Sequence, residues 1–169
     1  MQNFSLFDTI GPRMVGPSSS HTAGAAKLGR MAWKIARGDV KAAELTLYGS
    51  FATTGRGHGT DKALVAGILG LAPDDARLRY SLLLAQEAGV SVDIRYSDEE
   101  PEHPNTARIR ITSAAGKVTE IVGASIGGGN IRITEINGME VELSGEYPTL
   151  IVRHTDVPGV INDVTSILA

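Results

Sequence analysis

The sequence predicts an α+β domain, a mixed or antiparallel sheet with helices packed on it, and three observations carry that prediction. Its 169 residues, 42% hydrophobic and 21% charged, suit one ordinary globular domain with a little chain left over. Helical spacing of apolar residues dominates the first half, and segments alternating with period two dominate the second. Asn137-Gly138 joins two of those segments; both residues tolerate positive φ, which makes the pair the strongest short hairpin signal in the chain.

The elements follow in order. Thr22 to Arg37 places Ala26, Met31, Ile35 and Ala36 near helical spacing and stops at Gly38. Ala43 to Phe51, centred on Leu45-Thr46-Leu47-Tyr48, reads as a strand. Asp61 to Leu71 is apolar almost all round, the pattern of a buried helix. Arg79 to Ala88 is a third helix, ended by Gly89. Val90 to Ile94 alternates as a strand, and the acidic, proline-punctuated Asp98 to Asn105 reads as a loop. Ala107 to Thr112, Lys117 to Val122, Ile131 to Ile136 and Met139 to Leu143 are the strands of the second half. The tail reads as a separate unit: strand Tyr147 to Val152, loop His154 to Val157, helix Pro158 to Leu168. Its stripe of Val157, Val160, Ile161, Val164, Ile167 and Leu168 needs a partner surface, because one strand and one helix bury no core of their own. Domains are therefore placed at 1–146 and 147–169.

Composition excludes several classes of function. A net charge of −3 lacks the basic stripe that phosphate neutralisation needs, and eight aromatic side chains make a poor base-stacking platform, so nucleic acid is not expected. The absence of cysteine excludes disulfides, thiolate metal sites, a cysteine nucleophile and a cysteine-ligated cluster on this chain. Met1 to Ser5 shows no signal-peptide pattern, and the longest apolar run, Ala63 to Ala72, is too short to span a bilayer. A cytoplasmic chain without membrane contact is expected.

Two segments could carry chemistry. Pro17-Ser18-Ser19-Ser20-His21-Thr22 stands directly before the first helix, where free N–H groups and the dipole favour an anion such as a carboxylate or phosphate. A plain N-cap needs only one of the three serines, so the surplus tilts the reading toward a site. Gly55-Arg56-Gly57-His58-Gly59-Thr60-Asp61 lies between a strand and a buried helix. Its glycines admit close approach of a ligand, Thr60 or Asp61 can cap the helix, and His58 suits acid–base work near neutral pH. The spacing is neither a P-loop nor a dinucleotide fingerprint, and a Gly-rich turn with an exposed histidine is the competing reading. Ser125-Ile126-Gly127-Gly128-Gly129-Asn130 reads first as a tight turn or bulge, and His103 as a solvated loop residue. The four histidines never show the spacing of a zinc pair, so no metal site is expected.

Five blocks in order resemble the β part of the iron–sulfur-dependent L-serine dehydratases. They are Gly16-Pro17-Ser18-Ser19-Ser20-His21-Thr22, Tyr48-Gly49-Ser50, Gly55 to Asp61, His103-Pro104-Asn105-Thr106, and Ser125 to Gly129; together they span Phe4 to Gly145. The resemblance implies conversion of L-serine to pyruvate and ammonia. It implies a [4Fe–4S] cluster held by a separate α subunit, acting as Lewis acid on the leaving hydroxyl, without pyridoxal phosphate. It assigns His58 as the base that takes the α-proton, and Ser18, Ser19, Ser20, His21 and Thr22, with Thr60 and Asp61, as substrate-binding residues. Homodimerisation of β domains is a further expectation. The main domain is also similar to the allosteric substrate-binding domain of some phosphoglycerate dehydrogenases. The tail resembles the opening strand and helix of an ACT domain, with Pro158 and Gly159 in the turn that contacts effector.

Three readings compete. The chain is an enzyme subunit, or a non-catalytic regulatory module that binds serine, or a stand-alone hydrolase using His21 and His58. A glycine-flanked histidine favours the first, and no complete nucleophile–base–acid set supports the third.

Overall fold

The computed structural model describes residues 11–169, so the reading of Met1 to Ser5 and the start of the 1–146 unit lie outside the described residues. Six strands form one mixed sheet in the order β2-β1-β3-β4-β5-β6: β1 Ala42–Leu47, β2 Ser91–Tyr96, β3 Thr106–Thr112, β4 Val118–Gly127, β5 Asn130–Ile136 and β6 Met139–Leu143. Only β1 and β2 run parallel, and the helical crossover between them is what a parallel pair requires. The remaining pairs are antiparallel, with Leu45 opposite Ile109 and Ile109 opposite Ile121.

Alternation decides which face is covered. Ala43, Leu45, Leu47, Ala107, Ile109, Ile111, Ile121, Ile131, Ile133 and Ile136 are all buried on one face. Their neighbours Glu44, Arg108, Arg110, Glu120, Arg132 and Glu135 stand on the other, paired in part as Arg108–Glu120 (2.7 Å) and Arg110–Glu44 (4.0 Å). The buried face is covered by helix α1, which opens as a π-helical turn over Ser19–Gly24 and continues as Ala25–Ile35. Packed beside it is α4, Thr60–Ile68, whose Ala63 to Ile68 are all buried. Each fully buried Leu or Ile side chain contributes about 1.5–3 kcal/mol here. The two helices touch backbone to backbone: a Cβ on Gly29 would overlap the Leu64 carbonyl, and one on Gly67 the Ala26 carbonyl.

The α+β expectation stands, with several boundaries corrected. The strand expected over Ala43 to Phe51 ends at Leu47. Gly49 turns at φ 52° and the chain becomes helical over α2, Gly49–Thr53, because the Ser50 and Phe51 N–H groups bond the Pro104 carbonyl instead of a strand. The segment that read as a ligand site or a Gly-rich turn contains a short helix α3, Gly55–His58. The helix expected over Arg79 to Ala88 is a 3₁₀ turn, Ala76–Tyr80, followed by α5, Ser81–Glu87. Strand β4 runs five residues past Val122, to Gly127.

Asn137 (φ 50°) and Gly138 (φ 79°) make the expected hairpin turn, and Gly127 to Gly129 make the expected turn with a register shift after Ser125. In the tail, Tyr147 to Val152 forms no strand, since no neighbouring strand supplies a ladder, whereas α6, Val160–Leu168, is helical. Its apolar stripe is uncovered, with Ile161 74% and Ile167 85% exposed. Among the described residues no helix is long and apolar enough to cross a membrane.

Candidate functional site

Helix α1 begins with a cap and an anomaly. Ser18 has extended backbone and its Oγ accepts the His21 N–H (3.0 Å), as one of the three serines was expected to do. Its carbonyl accepts both the Thr22 N–H (2.9 Å) and the Ala23 N–H (3.3 Å), the shared bond of a turn wound one residue wider than α. Ser19, Ser20 and His21 are half-buried in this turn and Thr22 is buried. Such π-turns recur at functional sites.

The second segment meets the first here. The Thr22 hydroxyl donates to the His58 carbonyl (3.3 Å). His21 Nε2 lies 3.1 Å from Ser50 Oγ and 3.1 Å from Thr54 Oγ1, and those hydroxyls are 3.2 Å apart. His58 Nδ1 donates to the Thr54 carbonyl (3.1 Å); a carbonyl only accepts, so in the neutral ring the proton is on Nδ1 and Nε2 is the acceptor nitrogen. The imidazoles lie 4.9 Å apart at 38°, and buried Phe51 meets His21 edge-on at 5.3 Å. Burial foremost, and then the neighbouring His58, hold the His21 pKa below its ordinary value against the pull of the Ser50 carbonyl. His21 is therefore a neutral imidazole at neutral pH, able to hydrogen-bond without adding charge.

The other blocks close around this pair. Gly49 and Ser50 press on Pro104, whose carbonyl takes the Ser50 N–H (2.6 Å). Asn105 and Ser125 exchange bonds between β3 and β4, and Ser125 Oγ abuts Gly24 of the π-turn so closely that a Cβ there would overlap it. All five sequence blocks thus converge at one end of the sheet, under the helices.

Not every expected residue joins this centre as expected. Gly59, at φ 68°, occupies the N-cap of α4 with no side-chain cap; Thr60 is fully buried with Oγ1 unpartnered, and Asp61 takes the Lys62 N–H (2.8 Å). The capping expected of Thr60 or Asp61 is thus corrected: the left-handed glycine turns the chain into the helix before either hydroxyl or carboxylate can reach back. Pro158 and Gly159 line a recess made of tail residues alone, Asp156 to Asn162. His103 is half-buried and accepts the Asn105 N–H (3.1 Å), a turn-stabilising role in place of the solvated one expected. Ser50, Phe51 and Thr54 were not singled out as site residues: Ser50 and Phe51 fell in a segment read as a strand and Thr54 lay just beyond it; the i, i+4 spacing of Ser50 and Thr54 was the available signal.

A cleft of about 330 Å³ on the open sheet face, lined by Tyr48, His103, Arg108 and Arg132, includes neither His21 nor His58 in its lining. Its guanidinium groups are engaged by Glu120 (2.7 Å) and Glu142 (3.7 Å). Among the described residues no three His, Asp or Glu side chains are placed to hold a metal, and the sequence has no cysteine, so this chain does not fit an iron–sulfur cluster of its own.

The family model described as serine dehydratase beta chain matches residues 4–136. The probable L-serine dehydratase, beta chain, of Bacillus subtilis is 46% identical over 169 residues, covering all of this chain and 76% of that one. The L-serine dehydratase, beta chain, of Peptoniphilus asaccharolyticus is 44% identical, covering 99% of this chain and 76% of its own. A D-3-phosphoglycerate dehydrogenase of Mycobacterium leprae is 30% identical over 86 residues, half of this chain and 16% of that enzyme. With a matched family model over most of its length and two long relatives above 40% identity, the chain belongs to the serine dehydratase beta chain family.

Proposed function

We propose that this chain is the β subunit of an L-serine ammonia-lyase and works with an α subunit that carries a [4Fe–4S] cluster. The observation that supports this most is His58, pinned through Nδ1 to the Thr54 carbonyl with Nε2 left free, in the block that carries the family resemblance. The α-C–H of an amino acid is a weak acid, so a positioned base has to take its proton as the β-hydroxyl leaves. In this reading His58 Nε2 takes that proton. Loss of the hydroxyl leaves an enamine, which tautomerises to an imine and hydrolyses to pyruvate and ammonia. The hydroxyls and N–H groups of the Ser18–Thr22 turn hold the carboxylate, and neutral His21 keeps positive charge away from the neighbouring base. With no cysteine in the sequence to ligate it, this reading assigns the cluster to the α subunit. The tail from residue 147 is read as the first strand and helix of an ACT-like effector domain, with Pro158 and Gly159 at its effector turn.

The test is reconstitution with a cluster-bearing α subunit. The β chain alone should be inactive. In the complex His58→Ala should lower kcat by about 10²- to 10⁴-fold, the usual worth of a positioned base. Unchanged turnover with an unchanged pH profile would show that the base assignment is wrong, and would favour a serine-binding regulatory role instead.

A further inference from the structure

Three oxygens of the motif residues are buried with no hydrogen-bond partner: Thr60 Oγ1, Asn105 Oδ1 and Ser125 Oγ. Orphaned buried polar atoms cost free energy, so a fold that keeps them needs a reason. Two of the three belong to residues that face each other across β3 and β4, Asn105 and Ser125. The Ser125 N–H donates to the Asn105 carbonyl (3.0 Å), one step beyond the Thr106–Ala124 pair of the β3–β4 ladder. The Asn105 amide nitrogen donates to the Ser125 carbonyl (3.4 Å), which fixes the orientation of the amide and leaves Oδ1 as its unused end. Alternation with buried Ala107 puts the Asn105 side chain on the helix-bearing face, where Ser125 meets Gly24 of the π-turn. Pro104, just before Asn105, holds the Ser50 N–H, and Ser50 Oγ is 3.1 Å from His21 Nε2. Asn105 as a residue is half-buried and follows an exposed Pro104, while its Oδ1 is buried beneath that edge.

L-serine makes three demands on a site. Its carboxylate wants donors, its α-C–H wants a base, and its ammonium group wants acceptors. The Ser18–Thr22 turn answers the first and His58 the second. An amide oxygen accepts and never donates, which suits it to the third. We propose that Asn105 Oδ1, with Ser125 Oγ of the paired residue as a second acceptor, accepts the hydrogen bonds of the substrate's α-ammonium group. The proposal rests on the L-serine reading above. Asp61 is the acidic rival nearby in sequence to His58, but one of its oxygens already takes the Lys62 N–H.

The experiment uses the reconstituted α–β complex and two measurements: KM for L-serine, and the inhibition constant of 3-hydroxypropanoate, which is L-serine without its amino group. Asn105→Leu should raise KM for L-serine about 10- to 100-fold, the worth of a hydrogen bond to a charged group, with inhibition by 3-hydroxypropanoate unchanged. Asn105→Asp keeps an acceptor and should hold KM near the wild-type value, which covers the case in which the leucine variant fails to fold. Ser125→Ala removes an orphaned hydroxyl, so it should melt no lower than wild type while its KM for L-serine rises. Equal weakening of both ligands would overturn the proposal by making Asn105 purely structural. So would selective loss of the amino-bearing ligand in Asp61→Asn in place of Asn105→Leu. A wild-type complex that binds 3-hydroxypropanoate but does not turn over L-serine would overturn the function reading, and this proposal with it, a result distinct from either of the others.

Discussion

His21 is the residue whose chemistry the fold alters most, and the alteration has a sign. Its folded pKa lies below the ordinary 6.5, chiefly through burial. As pH falls through 6.5, the unfolded chain takes up this proton before the folded one does, so stability drains away between 6.5 and the lowered value and is intact above that window. Urea midpoints at about pH 7 and pH 5 should therefore fall further for wild type than for His21→Gln, and equal losses would disprove the assignment. His58 was legible from its glycine neighbours, since few reasons exist to seat a titratable ring among residues that give a ligand room. Ser50 and Thr54 were not legible. They reach His21 only because the chain leaves the sheet at Tyr48, and that departure is dictated by the Pro104 carbonyl more than fifty residues away. The orphaned Asn105 and Ser125 were hidden for the same reason: burial of a single oxygen depends on what long-range pairing lays over it.

Among the elements, those long enough to show a period were recognised as helix or strand, although the ends of β1 and β4 and the start of α5 were misplaced. Helices α1 and α4 and the strands β1, β3, β5 and β6 each carry enough alternation or helical spacing to declare themselves. Helices α2 and α3, five and four residues long, complete too few turns to have a periodicity, and they are the elements that hold the site. The α1–α4 contact was equally silent, because Gly29 and Gly67 look unremarkable until two backbones are found against each other. Gly67→Ala should cost about 1–3 kcal/mol or more, since the new methyl meets backbone that has no rotamer to give way. A denaturant midpoint within error of wild type would mean that the helices can part without strain.

For the whole molecule, the layout is two layers: helices on one face of the sheet and a charged, partly ion-paired face on the other. The tail contributes little to that body. Its helix α6 has no buried residue, so Ile161→Glu with Ile167→Glu should leave the melting temperature of the 169-residue chain within about 1 °C of wild type, as exposed substitutions do. A drop of several degrees would reveal packing of the tail on the main body. The helix pair carries a consequence of another kind. His21 sits in the opening turn of one helix and His58 just ahead of the other, and the two shafts are in contact where side chains are missing altogether. The helices are the jaws of a caliper, and the absent methyl groups at positions 29 and 67 set its gauge. A methyl group far from either imidazole would widen the gap between them, so drift at those two glycines should register as a changed titration of His21 before any substrate is present.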